Sequence, residues 1–150
     1  MVGVDGSQGA LAALRWAVDD ARRRGDDIEV VHAWHLPPMG AEPYSAATVG
    51  LDADVFHEMG HALIDEAISA AGDSTGINIE RRVVMGEASN VILQAAEGAE
   101  ELVVGSRGHG ALLGLLLGSV ASQCARHATC PVVIVHPPVP ESPTIGHEVA

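Results

Sequence analysis

Lysine is absent from the chain, and all eight positively charged side chains are arginine. Without lysine there is no Schiff-base nucleophile and no P-loop lysine to rest on nucleotide phosphates, so imine chemistry and Walker-type NTPases are excluded. Cysteine is nearly absent. Cys124 and Cys130 lie close together without the His/Cys spacing of a zinc site, which argues against a disulfide framework or zinc knuckle and predicts two reduced, mostly buried thiols. Trp16, Trp34, Tyr44 and Phe56 are the only aromatic side chains, so the core must be aliphatic. Positive charge is itself in deficit: a net charge of −12 argues against nucleic acid and anionic membrane surfaces as partners, because either needs a basic stripe. No apolar run is long enough to cross a bilayer, and Asp5 and Gly6 interrupt the first one at once. Neither a membrane span nor a secretory signal is expected, and the reading is cytoplasmic.

What is present has the size of one domain, 150 residues. Short aliphatic runs at 1–4, 28–33, 77–84, 102–104 and 132–135 alternate with segments of helical period at 8–24, 54–71, 88–96 and 119–127. Nearly continuous apolar strands separated by helices are the pattern of a parallel sheet covered on both faces, so the class is α/β. Ser7 is placed to cap the first helix and Gly25 to end it, while Pro131 forces the chain to extend before the last strand. Residues 36–50 carry three prolines and two glycines without a period and read as a long excursion able to serve as a lid. Residues 137–150 hold four prolines and read as a tail outside the sheet, leaving 1–136 as the domain.

A doubly wound sheet takes its ligand beyond the carboxyl ends of its strands, which directs attention to Asp5-Gly6-Ser7, Ala33-Trp34-His35, Met85-Gly86-Glu87 and the segment opening at Gly105. That last segment reads Gly105-Ser106-Arg107-Gly108-His109-Gly110 and continues through Gly114 to Gly118-Ser119-Val120, where a helix begins. Glycines let the backbone take positive φ and come close to a ligand, so that successive N–H groups converge on an anion. Gly118 and Ser119 stand where free N–H groups and the helix dipole favour negative charge. Phosphate is the expected guest. From their places in the loop, Arg107 supplies positive charge, and Ser106 and His109 are further candidate contacts. With no lysine, a divalent metal is expected to offset the remaining phosphate charge, with Asp5 as its partner.

The spacing Gly105-x-x-Gly108, nine residues, then Gly118-Ser119 resembles the nucleotide-binding members of the universal stress protein family. The opening Val2-Gly3-Val4-Asp5-Gly6-Ser7 and the closing Cys130-Pro131-Val132-Val133-Ile134-Val135 are similar to that family's first and last strands. The likeness covers residues 2 to about 136, with one departure: Ala121 stands where many members place a second hydroxyl. The expected fold is a five-stranded parallel doubly wound sheet, Rossmann-like, in strand order 3-2-1-4-5 with about four helices. The resemblance implies an ATP site with Mg2+: Gly3 beside the nucleotide, Asp5 near ribose and metal, the backbone of Ala33 at the adenine edge, Gly105 and Gly108 around the phosphates, and Ser119 with Val120 closing it. It also implies a homodimer through 132–135, a strand that carries no charge to protect an exposed edge.

His57-Glu58-Met59-Gly60-His61 satisfies H-E-x-x-H, in which two histidines one helical turn apart bind zinc and the glutamate acts as base; Glu80 is the candidate third ligand. Helical phasing places Val55, Phe56, Met59, Leu63 and Ala67 on the core stripe and His57, Glu58, His61 and Asp65 on the opposite polar face, which suits adventitious metal binding better than a hydrolase. His32, inside the second strand, reads as a hydrogen-bonded core histidine. Ala111 to Leu117 is unusually apolar for a loop and predicts a covering ligand or partner. The sequence thus points to an ATP-dependent regulatory switch of a stress response. No residue is placed as a base for water attack on the γ-phosphate, so hydrolysis is expected to be slow at most. The alternatives are an adenylyl-transferring enzyme of the same fold, whose S-G-G-x-D signature is missing at 3–7, and, more remotely, the zinc hydrolase.

Overall fold

The computed structural model describes residues 1–35, 53–109 and 116–138. The expected lid at 36–50, most of the apolar loop at 111–117 and most of the tail lie outside the described residues. Within them the chain runs β1 (Val2–Gly3), α1 (Gln8–Arg24), β2 (Ile28–Trp34), α2 (Ala53–Ala71), β3 (Ile79–Met85), α3 (Ala88–Ala95), β4 (Leu102–Gly105), α4 (Ser119–His127) and β5 (Val132–Val135). The five strands form one parallel sheet in the order β3-β2-β1-β4-β5.

The strands are two-sided, and each side builds its own apolar layer. Val2, Val4, Val30 and Val103 pack with Ala13, Leu14, Ala17 and Val18 of α1 and Ile64 of α2. Their neighbours Val31 and Val104 pack the other way, against Val91, Ile92 and Ala95 of α3 and Ala121 and Cys124 of α4. Parallel strands buried on both faces need this alternation of direction without alternation of polarity. Cys124 is fully buried, and burial pushes its thiol up to about 11; Cys130 is half-buried and free.

The helix ends follow their local chemistry. Ser7 Oγ accepts from the Ala10 amide at 3.2 Å to cap α1, and Gly25 ends the helix in the left-handed region at φ 77°, its amide donating to the Ala21 carbonyl. Pro131 precedes β5, which lies at one edge of the sheet. No described helix is long and apolar enough to cross a membrane.

Two expectations need correction. The core stripe of α2 is centred on Gly60 and Ile64, not on Val55 and Met59, which are 37% and 61% exposed. A Cβ at Gly60 would lie 2.6 Å from Val83 Cγ1 and 3.1 Å from His32 Cδ2, so the missing side chain is what lets the helix settle on β2 and β3, and this seam rotates Val55 and Met59 outward. Apolarity alone phased the helix about a quarter turn wrong. The third strand begins at Ile79 rather than 77, and as the other edge of the sheet it exposes Glu80, Arg81 and Arg82.

Candidate functional site

The sheet order places β1 and β4 side by side, with their helices leaving on opposite faces, and this is where a doubly wound sheet opens. A hollow of about 390 Å³ at the opposite, amino-terminal end of the strands is walled by Asp20, Asp27, Glu29, Glu80 and Glu101, with Arg24 and the Met1 α-amino group as the cationic groups in its lining, an excess of carboxylates that disfavours phosphate. At the carboxyl ends lies a hollow of about 430 Å³. Its lining includes Gly3, Asp5, Ala33, Gly105, Arg107, Gly108, His109, Gly118, Ser119 and Val120, so ten of the residues singled out from the sequence converge on one space.

Ser106 does not belong with them. It is fully buried beneath the loop, its amide donating to the Val135 carbonyl at 2.8 Å and its carbonyl accepting from the Gly118 amide at 2.7 Å. Its backbone thereby ties β5 and the start of α4 to the glycine loop, while its buried hydroxyl has no hydrogen-bond partner among the described residues. Reasoning from position in the loop missed this, because the residue after a strand turns its side chain down as readily as up.

The glycines act by close approach. Gly105, Gly108 and Gly118 are not among the positive-φ glycines of the described residues. A Cβ on Gly105 would lie 2.5 Å from the carbonyl carbon of Gly9, and one on Gly9 would strike the carbonyl oxygen of Arg107, so α1 and the loop meet backbone to backbone. A Cβ on Gly108 would strike Asp5 Oδ2. Asp5 is the fastening on the other side: Oδ1 accepts from the Ser7 amide at 2.9 Å and Oδ2 from the His109 amide at 3.1 Å. Burial alone would raise its carboxyl, but hydrogen bonds from Ser7 and from the His109 amide outweigh that and hold it below the ordinary aspartate value. The carboxylate therefore stays ionised at the floor of the hollow.

The capping of the helices marks where an anion fits. The start of α1 is capped by Ser7, and the start of α3 by Glu87, whose carboxylate accepts from the Ser89 and Asn90 amides at 3.2 and 3.1 Å. The Ser89 hydroxyl and those amides also hold the Glu87 carboxyl below its usual value. The start of α4 has Gly118 at the cap and no side-chain hydrogen bond. Its first amides border the hollow and carry the positive end of the helix dipole, an arrangement that receives phosphate or carboxylate oxygens.

The lining also has an apolar part: Ile92 of α3, Val104 of β4 and Leu117 ahead of α4. A Cβ on Gly3 would come within 2.9 Å of Ile92 Cδ1, so Gly3 leaves room for that side chain. Glu87 was singled out from the sequence with Met85-Gly86-Glu87 after a strand, and Leu117 with the apolar loop; Ala88, Ile92 and Val104 were not named as site residues, and Ile92 looks like any core residue of a short helix. The combination of an apolar slot, an anchored carboxylate and a donor-lined helix start can hold a flat heterocycle, a polyol and an anion in series.

His57 and His61 lie on α2, exposed and half-buried respectively, and do not border this hollow. The third ligand sought in Glu80 is not beside them: Glu80 borders the amino-terminal hollow, and no group of three or more metal-ligating side chains occurs among the described residues. His32, half-buried, shares a 2.9 Å hydrogen bond between Nδ1 and the Val4 carbonyl, as a core histidine should.

Comparison with known proteins bears on this arrangement. The profile of the universal stress protein family matches residues 1–136. A universal stress protein of Mycolicibacterium smegmatis is 34% identical over 142 residues, covering 91% of this chain and 45% of that protein. The chain thus spans about half the length of the curated relatives it matches. Among solved structures, a universal stress protein in complex with cAMP is 28% identical with a TM-score of 0.69, over 91% of this chain and 95% of the other. A universal stress protein from Archaeoglobus fulgidus in complex with dAMP, 24% identical with a TM-score of 0.60 over 89% and 93% of the two chains, shares the fold.

Proposed function

The chain belongs to the universal stress protein family, and from that premise we propose that it binds an adenine nucleotide, ATP with Mg2+, in the hollow at the carboxyl ends of the strands. It acts in the cytoplasm as a nucleotide-dependent switch of a stress response, hydrolysing ATP slowly at most. The observation that carries the reading is the start of α4, left without a side-chain cap and opening into a hollow of about 430 Å³ with the glycine loop as its wall. The relative solved with cAMP supports an adenine nucleotide as the class of ligand.

Each residue then has a part. The base lies between Gly3, Ile92 and Val104, with the backbone of Ala33 at its edge, and the ribose reaches Asp5. The phosphates lie against Gly105 and Gly108 and take hydrogen bonds from the amides of Ser119 and Val120 and from the Ser119 hydroxyl, with Arg107 and His109 on the open side. Two carboxylates, Asp5 and Glu87, and one guanidinium, Arg107, border the hollow, so its own charge does not neutralise a triphosphate. Mg2+ bound with the nucleotide would supply the difference, and Asp5, which keeps lone pairs beyond its two amide contacts, is the residue that would hold it. No lysine stabilises a transferring phosphoryl group. Self-association through the uncharged edge strand β5 completes the proposal.

Calorimetric titration of ATP with magnesium, AMP and cAMP into the wild-type chain and into Ser119→Ala tests it. Ser119 is exposed, so the substitution spares the fold. Loss of a hydrogen bond to a charged group weakens ATP binding by about tenfold or more. A folded wild-type protein that binds no adenine nucleotide overturns the reading, and steady-state turnover above about one per minute replaces the switch with an enzyme.

A further inference from the structure

The H-E-x-x-H segment has no part in the nucleotide site, yet α2 arranges its two histidines in a definite way. His57 and His61 are one turn apart, and their Nε2 atoms lie 3.2 Å from each other, with ring centroids 4.7 Å apart and ring planes at 78°. We propose that this pair is a two-imidazole clamp for one divalent transition-metal ion of the class that prefers nitrogen, namely zinc, nickel or copper(II).

The argument is geometric. A metal bonded to both nitrogens at about 2.0–2.1 Å spans a 3.2 Å separation with an N–metal–N angle of about 100°. That angle falls between the right angle of octahedral coordination and the tetrahedral angle, so the separation suits one ion once the rings turn their Nε2 lone pairs off the N–N line toward it. Neutral imidazole is the ligand shared by zinc, copper and nickel, whereas magnesium and calcium take oxygen. The neighbouring carboxylate one turn on, Asp65, is engaged by Arg81 of β3 at 2.6 Å, and no group of three ligating side chains gathers among the described residues. Water therefore completes the coordination. A site of two protein ligands on an open helix face binds metal without the enclosed third ligand and ordered surroundings that a zinc hydrolase uses, so the clamp is a binding site only.

The position of the pair gives binding a consequence. Phe56, immediately before His57, stacks on Trp34 at the end of β2, with centroids 5.2 Å apart and planes within 7°. An ion bridging His57 and His61 fixes the beginning of α2 over that stack and stabilises the folded chain by mass action.

The test is a calorimetric titration of ZnCl2 and NiCl2 into the full chain carrying no affinity tag, with MgCl2 as the control for general attraction to a protein of net charge −12. Wild type is expected to take up one ion, with a change in tryptophan emission and a raised Tm. His57→Gln and His61→Gln are each expected to weaken zinc and nickel binding at least tenfold, since loss of an outer partner alone costs about 10- to 100-fold, while His127→Gln on α4 leaves it unchanged. Circular dichroism of the apo variants keeps folding separate from binding. Equal zinc binding by wild type and both clamp variants, or equal uptake of magnesium, overturns the proposal and leaves the 3.2 Å contact as a hydrogen bond between two imidazoles.

Discussion

Gly9 and Gly105 meet backbone to backbone, and this contact changes what a substitution in the loop reports. A methyl group on Gly105 lies 2.5 and 2.6 Å from the Gly9 carbonyl carbon and oxygen, so α1 must move away from β4 before any ligand is present. Gly105→Ala is therefore expected to lower stability by about 1–3 kcal/mol, the usual cost of overpacking, seen as an earlier urea midpoint. Nucleotide binding should fall only as far as the folded fraction does. Unchanged stability with binding abolished would instead show that the added methyl group obstructs the phosphates directly and not by displacing α1. The glycine spacing was legible at this scale, but its reason was not. Positive φ is a local property that a sequence reader assigns to glycine by habit, whereas Gly105 and Gly108 are required by Gly9 and Asp5, distant along the chain. Ser106 shows the same limit, since whether a loop side chain points into the hollow or beneath the loop depends on Val135 and Gly118.

Among the elements, α4 is the one whose beginning separates fold from function. Gly118 has φ −73° and ψ 173°, an extended conformation open to any residue, and a Cβ there meets nothing closer than 3.4 Å. An aspartate at this position can cap the free amides that a phosphate otherwise occupies. Gly118→Asp is expected to stabilise the folded chain by a few tenths of a kcal/mol, since Asp exceeds Gly as a cap by about that much, and to abolish nucleotide binding. Thermal melts and an ATP titration on the same preparation check the opposite signs; a variant that binds ATP as wild type does would remove α4 from the site. The helix bounds themselves were legible, because Ser7, Gly25 and Pro131 act through their immediate neighbours. The facing of α2 was not, because Gly60 carries no apolar signal and its role exists only against Val83 and His32.

For the whole molecule, the sheet order leaves β5 as an uncharged edge, its four residues all half-buried. If two copies join there, amide exchange along Val132–Val135 slows as protein concentration rises and sedimentation gives a mass near twice that of one chain. Exchange independent of concentration with a monomeric mass sinks that part of the proposal. The exposed ion pairs do not bear on this: Arg24 with Asp26 and Arg81 with Asp65 are solvated on both sides and contribute little.

The sequence by itself determined the α/β class, the order of the elements and the run of residues that carries the glycine loop, since strand, helix and cap preferences are set over a few neighbouring positions. Tertiary structure alone decided that Asp5 anchors the loop through the His109 amide, that Ile92 and Val104 wall the hollow, and that the α2 histidines lie away from it. These depend on which surfaces the sheet brings together across tens of residues, and a pattern read along one dimension carries no record of that.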